Sequence, residues 1–379
     1  MLLKYGARNF TSFREGIEIS LELGAKCPAI ISRGNSMANI ICVKGANGSG
    51  KSNALKILGF LADFCCNSFN NKPGDNILIE SFFMNDDPID IFCDFIFNGT
   101  KYRYELCLTT KGVISEKLSR KMNRLSTVLE RQGNRLINCI REFGEIRKVK
   151  LRTNASLIST AYQYEIASIS PSYKFFDSIN TNFSWFGRSR FSKDYKIISK
   201  YYKDNPQVLK EAIKIIGECD LGVTDIKLVE SKEENGKKYY YPIFYHDAKI
   251  KNNWLTYYSQ SLGTQVLFTS IPYYLYALRS GGVLVMDEFD TDLHPHILPK
   301  IVSFFDDKKV NVKNSQMIFS THNTDILEDM GKYRTVLINK ESSESYGYRL
   351  DEIPGDIIRN DRLIAPVYKS GKIGGVPRL

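Results

Sequence analysis

The first half of the chain alternates apolar and polar residues in short runs, the pattern of β-strands with one buried face. Residues 2–10 and 17–23 are two such runs on either side of a turn-prone stretch, and they predict an antiparallel pair. Residues 82–108 alternate more strongly and are interrupted by Asn98 and Gly99. An Asn-Gly pair between two alternating runs predicts a β-hairpin with a tight turn.

The spacing of apolar residues changes in the middle of the chain. Residues 111–152 keep strand-like spacing between glycine-containing turns, so they predict that the meander continues. Residues 154–217 have a helical period, which Pro171 and Pro206 divide into about three helices. Strands followed by helices in this region predict a second lobe.

Three short runs are apolar throughout instead of alternating. They cover residues 40–43, residues 283–286 and, within the segment 316–320, residues 317–319. A strand that is buried on both faces, as in a parallel sheet covered by helices, has this composition. The sequence therefore predicts an α/β fold whose sheet draws strands from both ends of the chain.

A glycine-rich segment, residues 45–52, follows the first of these runs and precedes a stretch with helical spacing. It has the form G-x-x-x-x-G-K-S, whose backbone N–H groups surround phosphates while the lysine reaches the β- and γ-phosphates and the serine hydroxyl reaches Mg²⁺. A chance glycine-rich turn is the alternative, and the strand before and helix after the segment argue against it. We predict ATP and Mg²⁺ as ligands, bound by Asn47, Gly48, Ser49, Gly50, Lys51 and Ser52.

Two carboxylates, Asp287 and Glu288, follow the second apolar run. A buried strand would place Asp287 at its C-terminal end beside the phosphate loop, where it can support Mg²⁺. Glu288 could then accept a proton from the attacking water. An Asp-Glu pair after an apolar strand is common by itself, but a phosphate loop in the same chain favours the catalytic interpretation.

Two further features complete an ordered set. Ser261 and Gly263 stand at the start of a helix-like stretch before the second apolar run, and His322 follows the third. This order resembles the ATP-binding-cassette (ABC) ATPases, and more closely the branch with chromosome-maintenance (SMC), recombination-repair, OLD-type and abortive-infection ATPases. The resemblance covers about residues 1–110 and 218–379 and implies an ABC-type P-loop ATPase head, with residues 111–217 as a basic inserted lobe.

The resemblance also implies roles for these residues. Ser261 and Gly263 would close on the γ-phosphate bound by a second subunit, so the heads would form a homodimer or higher homo-oligomer around ATP. His322 would sense the γ-phosphate and orient the water, and residues 289–295 would be the D-loop at the dimer interface. The sequence departs from the family at Leu262, where transporter cassettes have glycine, and it has no clear Q-loop glutamine.

Composition adds few constraints. No apolar run approaches the ~20 residues of a membrane span, and the first residues lack the layout of a signal peptide, so we expect a cytoplasmic protein without a membrane partner. The eight cysteines contain no C-x-x-C pair, which favours buried free thiols. His294 and His296 resemble a metal pair but lack a third ligand in the sequence nearby.

The positive charge is concentrated in residues 111–152, which hold twelve Lys or Arg and four Glu. Such a density of cations attracts nucleic acid or an acidic protein, and a solvated basic face is the alternative. The cations are Lys111, Lys117, Arg120, Lys121, Arg124, Arg131, Arg135, Arg141, Arg147, Lys148, Lys150 and Arg152.

The motifs are compatible with two kinds of biological function. Residues 323–379 are too few for a C-terminal nuclease domain, so the chain resembles the stand-alone ATPase subunits of two-gene phage-defence systems such as RloA, AbiLi and the PARIS ATPase. That resemblance implies a sensor or scaffold that controls a separate toxic effector, such as a nuclease. A DNA-repair or DNA-tethering ATPase of the SMC kind is the alternative, but no heptad run predicts the long arms that it needs.

Overall fold

The computed structural model describes residues 1–183, 192, 194–219, 222–233, 236–291, 293–354, 357–359 and 362–376. The strands are β1 Leu2–Arg8, β2 Ile17–Ser20, β3 Ile40–Gly45, β4 Ile89–Phe97, β5 Thr100–Thr109, β6 Gly112–Lys121, β7 Leu125–Gln132, β8 Arg135–Cys139, β9 Ile179–Thr181, β10 Val223–Lys232, β11 Lys238–His246, β12 Trp254–Thr256, β13 Val283–Met286, β14 Gln316–Ser320, β15 Thr335–Glu341 and β16 Glu344–Arg349. The α-helices are α1 Ala29–Ser32, α2 Lys51–Asn67, α3 Leu157–Gln163, α4 Ser170–Asp177, α5 Tyr195–Asp204, α6 Pro206–Cys219, α7 Leu262–Ser280, α8 Ile297–Asp306, α9 Ile326–Met330 and α10 Ile364–Lys369.

A six-stranded sheet carries the predicted motifs. Its order is β16-β15-β3-β14-β13-β9, and its strands are parallel except for β16 at one edge. Every residue of β3, β13 and β14 is buried, as their apolar runs predict, and this includes the polar residues Lys44, Gln316 and Ser320. The two halves of the sequence therefore meet in one sheet, and the predicted α/β class is confirmed.

A seven-stranded antiparallel sheet packs beside it, in the order β2-β1-β4-β5-β6-β7-β8. The β4–β5 hairpin turns at Asn98 and Gly99, which both have positive φ (48° and 77°), as the sequence predicts. The basic strands β6–β8 continue this sheet without a break. The predicted boundary at residue 110 thus falls inside the β5–β6 hairpin, and an inserted lobe stays a prediction.

Helix α2 lies between the two sheets and forms much of the core. Successive residues of β3 face opposite sides of the parallel sheet, as in any strand. Ile41 and Val43 pack with α2 and the antiparallel sheet, whereas Ile40 and Cys42 pack with helices α6–α8 on the other face. The phosphate loop is therefore anchored between two hydrophobic layers.

The structure of residues 154–217, for which the sequence predicts helices, differs from that prediction in one respect. The described part of this region contains the α-helices α3–α6, the last of which ends at Cys219, but also the three-residue strand β9. Strand β9 pairs in parallel with β13 and forms an edge of the six-stranded sheet. A three-residue strand is too short to show an alternating pattern, so packing against β13 decides its conformation.

Candidate nucleotide-binding site

The phosphate loop connects β3 to α2 as predicted. Gly48 and Gly50 have φ values of 73° and 109°, which residues with a Cβ atom rarely adopt. A Cβ on Gly50 would also lie 2.7 Å from Ser345 Oγ and 2.8 Å from Ser12 Oγ. The positive φ and the lack of room for a Cβ atom therefore both require glycine at position 50, at the N-terminus of α2.

A cavity of about 400 Å³ brings most of the predicted residues together. It is lined by Ser12, Asn47, Gly48, Gly50, Lys51, Ser52, Asn53, Glu288, His322 and Lys340. Ser49 is buried behind the loop, where its carbonyl accepts a hydrogen bond from the Ser345 hydroxyl at 2.7 Å. Residues from three separate sequence motifs therefore share one cavity, although they are up to 275 positions apart in the chain.

Lys51 is folded back over its own loop. Its ammonium donates to the carbonyls of Gly45 and Ala46 at 3.0 Å each. Burial lowers the pKa of Lys51, while the nearby carboxylates of Asp287 and Glu288 act in the opposite direction. A buried lysine beside carboxylates can exchange its loop contacts for anionic oxygens, the role the motif predicts for it.

Asp287 and Glu288 share the hydroxyl of Ser320, the last residue of β14. The hydroxyl donates to Asp287 Oδ1 at 2.5 Å and accepts the Glu288 N–H at 2.8 Å. Glu288 has a φ of 48°, an uncommon conformation for a residue with a side chain. A constrained backbone at this position points its carboxylate into the cavity and is common at functional sites.

Asn182, which the sequence did not reveal as a candidate, holds the peptide of Asp287. It follows β9, donates from Nδ2 to the Asp287 carbonyl and accepts the Asp287 N–H at Oδ1, both at 2.8 Å. The amide thereby fixes the turn that aims the two carboxylates. No sequence signal identifies it, because the contact depends on β9 lying beside β13.

Charged side chains form hydrogen bonds with both the backbone N–H and the backbone carbonyl of His322. Its N–H donates to both carboxylate oxygens of Asp290, at 3.1 and 3.2 Å. Its carbonyl accepts from the ammonium of Lys44 at 2.6 Å. Lys44 is 2% exposed, and burial lowers its pKa to about 8. Lys44 therefore links the strand before the phosphate loop to the loop that carries His322, a contact not predicted from the sequence.

Ser261 and Gly263 do not line this cavity. Ser261 is the N-cap of α7, and its Oγ accepts the Thr264 N–H at 3.1 Å. Leu262 next to it is 66% exposed. The start of α7 therefore faces solvent in the single chain and is accessible to a partner. In the predicted D-loop, Asp292 lies outside the described residues.

The residues predicted to hold Mg²⁺ have suitable chemistry. The hydroxyl of Ser52 lines the cavity, and the Asp287 carboxylate is oriented by Ser320. Hard oxygen donors of this kind, one or two from the protein and the rest from phosphates and water, are the usual Mg²⁺ ligands. Among the described residues, including His294 and His296, no group of three or more His, Cys, Asp or Glu side chains could hold a metal by itself.

The basic segment is less uniform than its composition indicates. Arg131 is fully buried, and its guanidinium pairs with Glu116 at 2.6 Å. Arg120 pairs with Glu142 at 2.9 Å. Arg152 donates to the carbonyls of Phe69 and Asn71. Arg131 is therefore not available to a partner and Arg120 and Arg152 already have contacts within the fold, so the predicted binding surface stays a prediction for the exposed cations of the segment.

The chain matches one family of known proteins over most of its length. The model of a family described as "AAA domain, putative AbiEii toxin, Type IV TA system" matches residues 40–328. No curated protein matches the chain. Within the part of the chain that the structure describes, no helix is long and apolar enough to cross a membrane.

Two solved structures are similar to this chain. The SMC head domain from Thermotoga maritima is 15% identical, with 92% of this chain and 98% of that chain covered and a TM-score of 0.45. A crystal structure of the SmcHead bound to the C-winged helix domain of ScpA is 13% identical, with 92% and 96% covered and a TM-score of 0.49. The motifs that follow β3, β13 and β14 meet at one edge of the parallel sheet, and an ABC-type P-loop ATPase head stays the prediction made from the sequence.

Proposed function

The chain belongs to this AAA-domain family, and from that premise we propose that it binds and hydrolyses ATP with Mg²⁺. The observation that carries the proposal is the single cavity shared by Lys51, Ser52, Glu288 and His322. Glycines that permit a phosphate loop, a lysine for the phosphates and a carboxylate for the water are the parts that phosphoryl transfer to water requires.

Each residue has a defined task in this proposal. Lys51 and the backbone of residues 47–50 bind the phosphates, and Ser52 and Asp287 hold Mg²⁺. Bound Mg²⁺ neutralises charge on the phosphate oxygens. Glu288 accepts the proton of the attacking water, and His322, which lines the same cavity, contacts the γ-phosphate.

We further propose that the site is completed by a second copy of the chain. The start of α7 is solvent-exposed, and a helix N-terminus attracts an anion through its free N–H groups and its dipole. Ser261 and Gly263 of one copy would meet the γ-phosphate held by the other. Because these residues gain a ligand only from bound ATP, we expect ATP to promote the dimer.

Replacement of the proposed base tests ATP hydrolysis. Glu288→Gln should still bind ATP, and its hydrolysis rate should fall by about 10²–10⁴-fold, because general-base catalysis contributes that much. The matched control is Glu145→Gln, a change to an exposed carboxylate outside the cavity. A Glu288→Gln variant with the normal rate would refute the base assignment, and a wild-type chain without hydrolysis would refute the ATPase proposal.

For biological output, we propose a sensor or scaffold of an anti-phage defence system that controls a separate toxic effector, such as a nuclease. The family description, which names a toxin of a toxin–antitoxin system, supports this role. Co-expression with the neighbouring gene product should give an ATP-sensitive complex. An SMC-like DNA-tethering ATPase, the alternative, would instead bind duplex DNA in an ATP-dependent manner and form no such complex.

The exposed cations of residues 111–152 are the proposed contact for an acidic partner, either nucleic acid or a protein such as the effector or a viral DNA mimic. Lys121 and Arg124 flank the β6–β7 turn, whereas Lys111 and Arg135 lie at the turns on the opposite end of these strands. All four are exposed. A strand as long as β6 separates the two groups by roughly 30 Å, so each group can be tested independently.

A further inference from the structure

A second cavity adjoins the proposed phosphate cavity. Its volume is about 270 Å³, and it is lined by Thr11, Ser12, Asn53, Glu80, Ser81, Phe83, Met84, Lys340 and Ser343. Three of these residues, Ser12, Asn53 and Lys340, also line the phosphate cavity. The two cavities are therefore continuous at the side of the phosphate loop where α2 begins.

The outer wall of this second cavity is unusually apolar for a surface. Phe83 is 74% exposed and Met84 is 79% exposed. Both have positive φ, 48° and 56°, a conformation that is rare for bulky side chains. Exposed apolar groups and a constrained backbone are each unfavourable for a free surface. Their occurrence together at a cavity indicates that these side chains serve a ligand.

The loop that presents Phe83 is fixed to the start of the chain. The Thr11 N–H donates to the Glu80 carbonyl at 2.9 Å, and the Asn9 and Asn85 side-chain amides bond to each other at 2.9 Å. The ring of Phe83 also packs edge-on against Phe82, with centroids 4.7 Å apart. Phe83 is thus positioned before any ligand arrives, as an effective binding platform must be.

The position of this cavity relative to Glu288 and His322 identifies the part of a nucleotide that it fits. Those two residues line only the first cavity and would mark the γ-phosphate end. The nucleoside of ATP lies at the opposite end of the phosphate chain. From the phosphate loop, the route past Asn53 and Ser12 leads to Phe83.

We propose that Phe83 and Met84 form the nucleoside subsite, in which a purine base stacks on the Phe83 ring while Lys340 lies at the junction with the phosphates. This inference rests on the proposed ATP binding and adds the residues that recognise the base. Stacking on an aromatic ring is tolerant of base identity. The subsite therefore also predicts similar affinities for ATP and GTP.

Binding measurements with and without the nucleoside test this subsite. Calorimetric titration with ATP in the presence of Mg²⁺ should show that Phe83→Ala weakens ATP binding by about tenfold. The reason is that stacking of a base on an aromatic ring contributes strongly to the binding free energy. The affinity for inorganic tripolyphosphate, which lacks a nucleoside, should not change. Phe83→Trp should retain ATP affinity because it keeps an aromatic surface. Leu78→Ala is the matched control, since Leu78 is 78% exposed nearby but lines neither cavity.

The outcomes separate this inference from the proposed function. A Phe83→Ala variant that binds ATP as tightly as the wild type would overturn the subsite, as would equal losses of ATP and tripolyphosphate affinity. Lys51→Ala should weaken both ligands. A wild-type chain that binds neither ligand, or a Lys51→Ala variant that binds both normally, would instead refute the phosphate site itself.

Discussion

The parallel sheet and the basic antiparallel strands both position charged side chains, but they arrange them differently. Strands β3, β13 and β14 run in the same direction, so the residues that follow each of them emerge at one edge. Lys51, Glu288 and His322 consequently line one cavity. Strands β6–β8 alternate in direction, so their turns place Lys121 and Lys111 at opposite ends of the sheet.

The two regions also differ in what their buried cations contact. Arg131, in the antiparallel sheet, pairs with the carboxylate of Glu116 and also donates to main-chain carbonyls. Lys44, in the parallel sheet, donates to the carbonyls of Thr321 and His322. The charged residues of the ordered motifs converge on one cavity, whereas several cations of residues 111–152 stabilise the fold.

The largest expected effect is the loss of the buried ion pair in the antiparallel sheet. Arg131→Met should lower the free energy of unfolding by about 3–5 kcal/mol, because Glu116 is left buried without its cation. Arg135→Met, which removes an exposed cation from the adjacent strand, should change it by less than about 0.5 kcal/mol. Urea denaturation measures both, and equal effects would contradict the division into structural and exposed cations.

Lys44 should reveal its burial through the pH dependence of stability. Its pKa is about 8 in the folded chain against an ordinary value of 10.5. Between these values the unfolded chain binds a proton that the folded chain does not, so stability rises with pH in this window. The free energy of unfolding of the wild type, relative to Lys44→Met, should therefore increase by roughly 3 kcal/mol from pH 8 to 10.5. A difference that stays constant across the window would contradict the lowered pKa of buried Lys44.

Asn182 should matter for both stability and hydrolysis. Asn182→Ala leaves the N–H and carbonyl of Asp287 without these partners and should cost about 1–3 kcal/mol of stability. Because the Asp287 turn is no longer fixed, ATP hydrolysis should fall by about tenfold or more. Asn180→Ala, in the adjoining strand β9, removes a hydrogen bond to the Ser178 carbonyl and should leave hydrolysis intact. Equal hydrolysis by both variants would contradict a positioning role for Asn182.

The smallest effects on stability are expected from the exposed cations. The double variants Lys121→Glu with Arg124→Glu, and Lys111→Glu with Arg135→Glu, should each change stability by less than about 0.5 kcal/mol. If one of these two pairs of cations contacts DNA phosphates, its replacement by glutamate should lower the number of counterions released on DNA binding by about two. This is measured as a smaller salt dependence of the DNA affinity. Loss of binding to the neighbouring gene product alone would identify a protein contact, and unchanged binding of both partners would indicate a solvated face.

Much of the fold follows from local sequence patterns. The apolar runs of β3 and β13, the glycines of the phosphate loop and the Asn98-Gly99 turn each determine their own conformation through nearby residues. The shared cavity could also be expected, because parallel strands that carry ordered motifs must end at one edge. These features depend on short-range physics and simple topology.

Other features depend on contacts between distant parts of the chain. Strand β9 forms because β13 offers it a partner 104 positions away, and Asn182 reaches Asp287 only as a result. Lys44 is recognisable only once β14 lies beside β3. The pairing of Arg131 with Glu116 likewise needs the register of β6 and β7. Composition and periodicity do not show which distant parts of the chain come into contact.

The most direct test of the central claim, that two chains build each ATP site, is hydrolysis by a mixture of two inactive variants. Lys51→Ala removes the phosphate contact, and Ser261→Arg blocks the start of α7. In a two-fold dimer that combines them, one site keeps both Lys51 and Ser261. We expect each variant alone to be inactive and the mixture to recover roughly a quarter of the wild-type rate, because half of the dimers are mixed and each of these has one intact site. A mixture that stays inactive, or a Ser261→Arg variant with the wild-type rate, would contradict it.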